Sequence, residues 1–258
     1  MVWQVDLSGK CIIVSGGNRG IGLAIAQQIA QAGAHVAILY KSSGDAPERA
    51  KEVSEKYGVH CEAFQCDVSD QKAVQELVGR IYKDVGPVGG VVCSAGVAVP
   101  KPAVEMTKED FDQQMVPNVW GCFTVAQAAV NLWQEHGYQN GRVVFVSSVS
   151  GSIANKGAKQ CFYNTSKGAL NALARSLAME WAEMGVLVNC ISPGPVNTDM
   201  TKGMRQNDEK KKSNEDSTML GRFSEPEEQA GAVVYFLSDY STYTTGTELR
   251  IDGGMTAW

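Results

Sequence analysis

The feature that most restricts how this chain can fold is an alternation of short, continuous apolar runs with amphipathic helical stretches. Apolar runs at 10–15, 34–40, 60–65, 88–93, 142–147, 186–191 and 248–251 alternate with helical patterns at 21–31, 46–57, 69–85, 107–135, 161–184 and 226–237, the longest helix breaking near Pro117. A strand buried on both faces reads as a continuous apolar run. Parallel neighbours then need crossover helices, and right-handed crossovers distribute those helices onto two faces. The expected fold is α/β: a Rossmann-like, doubly wound parallel sheet of about seven strands with helices on both faces. A chain of 258 residues fits one domain, 1–258, around one core. One stretch departs from the rhythm: 198–218 is polar, carries Lys210, Lys211 and Lys212, and reads as a mobile substrate lid.

Several function classes are set aside early. The net charge is −5 with both signs interspersed, so no basic field is present for nucleic acid or an anionic membrane. The N-terminal residues lack the cationic and apolar regions of a signal peptide, and no apolar run approaches membrane-spanning length. The expectation is a cytoplasmic protein. Seven cysteines without a Cys-x-x-Cys pair argue against a disulfide framework or a zinc knuckle, and His35, His60 and His136 are scattered, so no metal site is expected.

Residues 15–22 read Ser-Gly-Gly-Asn-Arg-Gly-Ile-Gly between the first strand and the first helix. Gly16, Gly20 and Gly22 let the backbone turn sharply and approach a pyrophosphate, which then meets free N–H groups at the helix start. The second strand ends at Tyr40, Lys41, Ser42 and Ser43. A carboxylate here would bond the ribose hydroxyls of NAD and repel a 2′-phosphate. Lys41, the serine hydroxyls and Arg19 suit a phosphate dianion instead, so NADP(H) is the expected cofactor. After the third strand, Ser69 is placed to cap the next helix, while Asp67 is either an adenine contact or a turn residue.

Tyr163 and Lys167 are four apart at the start of a helix and share a face. A phenol is ordinarily too weak an acid to serve as a base at neutral pH. A neighbouring ammonium and a nicotinamide cation favour the phenolate, and in reduction the phenol gives its proton to the carbonyl oxygen. Ser148 ends the fifth strand on the same sheet edge as the glycine loop, where its hydroxyl can polarise a substrate oxygen. Asn118 sits within a helical stretch that disfavours asparagine; a kink holding an ordered water, or a cap after Pro117, would each explain it.

Assembled in this order, these residues resemble the short-chain dehydrogenase/reductase family over nearly the whole chain. The family's glycine motif corresponds to Gly16, Gly20, Ile21 and Gly22, and its catalytic Asn, Ser, Tyr and Lys to Asn118, Ser148, Tyr163 and Lys167. Its aspartate after the third strand matches Asp67, and its Pro-Gly turn matches Pro193-Gly194. The resemblance implies that Val196 and Thr198 meet the nicotinamide carboxamide. It also implies that Asn18, Arg19, Tyr40, Lys41, Ser42, Val68, Ser94, Ala95 and Gly96 line the cofactor seat together with Tyr163 and Lys167. Two departures stand out. The family's Asn-Asn-Ala-Gly reads Cys93-Ser94-Ala95-Gly96, so support of the sheet there is expected to differ. The interval from Ser148 to Tyr163 is longer than in many members; Ser150 is nearer in spacing, but Ser148 holds the motif position three before Gly151.

Within the family, Tyr57 to His60, Ser147 to Asn155, Ser176 to Trp181 and Tyr243 to Gly246 resemble fungal sugar and polyol reductases. This implies NADPH-dependent reduction of a ketose such as L-sorbose, L-xylulose or D-fructose, or of a small ketone. A 3-oxoacyl-thioester reductase shares every catalytic residue, and a non-catalytic NADP(H)-sensing protein is the alternative from another class. The resemblance further implies a homotetramer. The C-terminal 252–258 would pack at its interface or cover its own subunit's core.

Overall fold

The structure, a computed structural model, describes residues 5–258, so the first four residues of the N-terminal segment read above lie outside the described residues. In chain order the elements are β1 (Cys11–Ser15), α1 (Gly20–Gln31), β2 (His35–Tyr40), α2 (Ala46–Tyr57), β3 (Cys61–Gln65), α3 (Gln71–Asp84), β4 (Val88–Cys93) and α4 (Lys108–Met115). There follow α5 (Gly121–Glu135), β5 (Arg142–Val146), α6 (Cys161–Glu180), β6 (Leu187–Pro193), α7 (Lys202–Arg205), α8 (Asp208–Asp216), α9 (Glu227–Leu237) and β7 (Glu248–Ile251).

The seven strands form one sheet in the order β3-β2-β1-β4-β5-β6-β7, and every pairing is parallel. Successive side chains on a strand face opposite ways. In β1, Cys11 and Ile13 join the core under α3, α5 and α6, while Ile12 and Val14 join the core under α1 and α9. Both sets are buried, which is why the strands read as unbroken apolar runs. Six of the seven free cysteines are buried within these layers. Burial pushes the thiols of Cys11 and Cys61 up to about 12, so they act as small hydrophobes.

The strand order reverses between β1 and β4. Crossovers leave the sheet in opposite directions there, and a crevice opens beyond the strands' carboxyl ends.

Three local features differ from the sequence expectation. The long helix does not stop at Pro117; it passes through a π-helical turn, Val116–Trp120, closed by the Gly121 N–H on the Val116 carbonyl. Proline has no N–H for the α-helical ladder, and the wider turn accommodates that loss. The helix after β3 is capped by Asp70, whose side chain accepts from the Ala73 N–H at 3.0 Å, and not by Ser69. Ser69 instead turns back, its hydroxyl donating to Asp67 Oδ1 at 2.6 Å. The polar stretch 198–218 is helical rather than a loop, folding as a 3₁₀ turn, Asp199–Thr201, followed by α7 and α8. No helix among the described residues is long and apolar enough to cross a membrane.

Candidate active site

A cleft of about 2340 Å³ runs along the carboxyl edge of the sheet. Its wall includes Ser148 and every residue expected at the cofactor: Gly16, Asn18, Arg19, Gly20, Ile21, Gly22, Tyr40, Lys41, Ser42, Asp67, Val68, Ser94, Ala95, Gly96, Tyr163, Lys167, Pro193, Gly194, Val196 and Thr198. Asn118 is fully buried behind that wall.

The glycine loop is built for close approach. Gly16 has φ +67°, and a Cβ there would stand 3.0 Å from the Ala95 backbone; a Cβ on Gly22 would collide with the Gly16 carbonyl oxygen. Ser15 ties this loop to the end of β4, its hydroxyl accepting from the Ser94 and Ala95 N–H groups at 3.2 and 3.3 Å. Ser94 makes no side-chain hydrogen bond among the described residues, so Ser15 supplies the support that an asparagine would give. The first turn of α1 contains no acidic residue, and Arg19 at its N-cap makes no side-chain capping bond. The helix start therefore offers unsatisfied N–H groups and a positive dipole end to an anion. A dinucleotide pyrophosphate fits this seat.

The ribose end is arranged differently from the sequence expectation. Lys41 Nζ pairs with Asp67 Oδ2 at 2.7 Å. Lys41 and then Ser69 hold the Asp67 carboxyl down to about 2. Lys41 is exposed and Asp67 half-buried, so the pair is weak and Lys41 can re-aim at modest cost. Arg19 is exposed and forms no ion pair among the described residues. It is a cation on the cleft wall with no partner to leave among the described residues.

At the other end, three elements bring the catalytic types together. Ser148 follows β5 and caps the short turn Val149–Gly151, its Oγ accepting from the Ser150 N–H at 3.1 Å. That bond uses one acceptor site and leaves the O–H free to donate. Lys167 is buried on α6 with Nζ donating to the Val146 carbonyl at 2.9 Å. The same ammonium lies 5.6 Å from the centre of the Tyr163 ring. The Tyr163 hydroxyl has no hydrogen-bond partner among the described residues, so it too is available.

Asn118 lies in the π-helical turn. Its Oδ1 accepts from Val97 N–H at 2.8 Å, and its Nδ2 donates to the Val97 carbonyl at 2.9 Å and to Ser166 Oγ at 2.9 Å. The side chain is committed to holding the loop after β4 against α6, and it does not cap a helix. A Cβ on Gly96 would stand 3.3 Å from Asn118 Oδ1 and 3.5 Å from Lys167 Nζ, so the two polar groups flank one point. Ser147 and Ser166, passed over in the sequence, belong to the same framework. Ser147 Oγ donates to the Lys167 carbonyl at 2.9 Å and Ser166 Oγ to the Tyr163 carbonyl at 2.7 Å. The available signal was a serine adjoining a catalytic residue on a buried face.

The chain is similar to known oxidoreductases over nearly its whole length. A family profile described as enoyl-(acyl carrier protein) reductase matches residues 16–256. The chain is 38% identical over 253 residues to sorbose reductase SOU1 of Candida albicans, covering 97% of this chain and 88% of that protein. It is 38% identical over 252 residues to the NADP-dependent mannitol dehydrogenase of Alternaria alternata, covering 96% and 93%. Among solved structures, the NADPH-dependent 3-quinuclidinone reductase of Rhodotorula rubra superposes with a TM-score of 0.88 at 32% identity, covering 98% of this chain and 93% of that one.

Proposed function

This chain belongs to the short-chain dehydrogenase/reductase family, and on that premise we propose that it reduces a ketose, or a comparably small ketone, to the corresponding polyol or alcohol. It is an NADP(H)-dependent oxidoreductase of alcohol and carbonyl groups. One observation carries the carbonyl-reducing part of this reading. The Ser148 and Tyr163 hydroxyls, each with an O–H free to donate among the described residues, line the same cleft as the buried Lys167 ammonium. Similarity to sorbose and mannitol enzymes supports the substrate class.

When bound, NADPH supplies the hydride. The Ser148 O–H donates to the substrate carbonyl oxygen and holds it toward the wall. Tyr163 gives its phenolic proton to that oxygen as negative charge develops there. Lys167, fixed by the Val146 carbonyl, keeps an ammonium beside the phenol and has two further N–H bonds for the nicotinamide ribose. Asn118 positions rather than reacts: it fixes the Val97 loop and α6 relative to one another. The lid, the Asp199–Thr201 turn with α7 and α8, brings Met200, Met204 and Asn214 to the cleft and closes over the substrate.

We place the protein in the cytoplasm as a homotetramer. Exposed Leu249 on edge strand β7 and the mostly exposed Trp258 support the assembly alone, being groups that it would cover; Trp258 does not cover its own core.

Similarity to the 3-oxoacyl-[acyl-carrier-protein] reductase of Aquifex aeolicus favours one second reading, reduction of a 3-oxoacyl thioester. An NADPH-oxidation screen over ketoses, simple ketones and 3-oxoacyl thioesters separates the two. Activity on thioesters alone would overturn the ketose reading.

Cofactor choice gives a further test. Arg19→Ala should weaken NADPH binding about tenfold, as expected for losing one exposed charge-assisted bond of roughly 1.5 kcal/mol. NADH binding should hardly change. Lys41→Ala should act in the same direction but less, because Lys41 must first leave Asp67. Equal losses for the two cofactors, measured by fluorescence titration, would refute the 2′-phosphate assignment.

A further inference from the structure

Two carboxamides stand on the cleft wall between Ser148 and Tyr163, and the reaction derived above uses neither. Asn155 and Gln160 lie on the segment that joins the Val149–Gly151 turn to α6, and both are half-buried and face the cleft. Ser150 Oγ donates to Asn155 Oδ1 at 2.7 Å. Gln160 Nε2 lies within bonding distance of Asn164 Oδ1 at 3.0 Å, Asn155 Oδ1 at 3.2 Å and Ser150 Oγ at 3.3 Å.

This network engages one half of each amide and leaves the other half free. Asn155 Nδ2 and Gln160 Oε1 make no hydrogen bond among the described residues. A free donor and a free acceptor thus belong to two cleft-lining amides that are tied to each other through Gln160 Nε2 and Asn155 Oδ1 at 3.2 Å. A hydroxyl gives one hydrogen bond and accepts others, and it matches such a pair; an apolar ketone has no use for it. The pair is also registered to the chemistry. Ser150 bonds Ser148 through its N–H at 3.1 Å, and Gln160 precedes Tyr163 by three residues at the start of α6.

We propose that Asn155 and Gln160 form the hydroxyl-recognition subsite, with Asn155 Nδ2 donating to a substrate hydroxyl near the carbonyl carbon and Gln160 Oε1 accepting from it. The assignment rests on the ketose reading. It makes the two amides specificity-determining residues, which bind and orient the substrate without entering the proton transfer. Because the network holds them in place before substrate arrives, little side-chain ordering remains to be lost on binding.

The test uses Asn155→Leu and Gln160→Met, with thermal unfolding to verify that each variant folds. Steady-state constants are measured for L-sorbose, D-fructose and the hydroxyl-free 2-hexanone. Calorimetry gives the Kd of sorbitol for the NADP⁺-loaded protein and the Kd of NADP⁺ itself. Each variant should raise ketose KM and sorbitol Kd about tenfold, the loss of roughly one hydrogen bond. Constants for 2-hexanone and NADP⁺ should stay within about twofold. Unchanged ketose and sorbitol constants in both variants would overturn the subsite and leave the ketose function standing. Equal losses on ketose and 2-hexanone, or a matching loss of NADP⁺ binding, would show a structural role and also overturn it. A wild type active on acyl thioesters alone would remove the ketose reading, and the subsite with it.

Discussion

Tyr163→Phe is expected to lower kcat for carbonyl reduction by about 10²–10⁴-fold, the range that a positioned general acid contributes. The change deletes one oxygen and keeps the ring. That ring stays beside Lys167 Nζ, and the bond from Nζ to the Val146 carbonyl does not involve the phenol. The hydroxyl has no partner among the described residues, so its removal leaves none of their buried groups unsatisfied. Stability and NADPH affinity should therefore remain close to wild type. This separation, with turnover lost and binding kept, distinguishes a proton donor from a packing residue. Stopped-flow hydride transfer and a cofactor titration on the same variant check it. More than a tenth of wild-type turnover would remove Tyr163 from the mechanism.

Gly151→Ala is expected to cost about 100-fold in kcat although residue 151 contributes no side chain to the reaction. A Cβ at this position would lie 2.7 Å from the Lys167 carbonyl carbon and 2.8 Å from the Gly168 nitrogen. Both are backbone atoms of α6 and cannot swing aside. The short turn that carries Ser148 must then retreat from the helix that carries Tyr163 and Lys167. A displacement of about 1 Å at a reacting centre costs on the order of 10² in rate. Overpacking should also remove ~1–3 kcal/mol of stability. Gly79→Ala on α3, outside the cleft, is the control, since an added methyl there meets nothing within 4 Å. A kcat within threefold of wild type for Gly151→Ala would show that the spacing of these two elements is not limiting.

The sheet was legible because each strand is buried on both faces, and burial on both faces leaves a mark on composition. The same logic made the glycine loop and the edge carrying Ser148 readable. The lid's helices leave no periodic mark in the sequence, because α8 has no buried residue and hence no apolar stripe. Local capping and charge hold it instead. Asn207 Oδ1 accepts from the Lys210 N–H at 2.9 Å, and Lys211 and Lys212 pair one turn ahead with Glu215 and Asp216. The Asn207-Asp208-Glu209 start was the available signal.

Lys41 and Asp67 meet because Tyr40 pairs with Gln65 across β2 and β3, and that register has no sequence signature. Asn118 was recognised as out of place in a helix, but its partner Val97 lies 21 positions away and is reached only through the fold. Asn155 and Gln160 carry no motif at all.

The π-helical turn at Val116–Trp120 works as a phase shifter between two helices. Each residue advances an α-helix by roughly 100°, so one additional residue in the turn rotates α5 by about that angle relative to an unbroken continuation of α4. Deleting one residue from this segment would let the backbone relax toward the geometry that helices ordinarily prefer. The side chain now aimed at Val97 and Ser166 would then point elsewhere. Selection for a more regular helix and selection for a working enzyme therefore pull this segment in opposite directions, and the less regular form is the one the chain keeps.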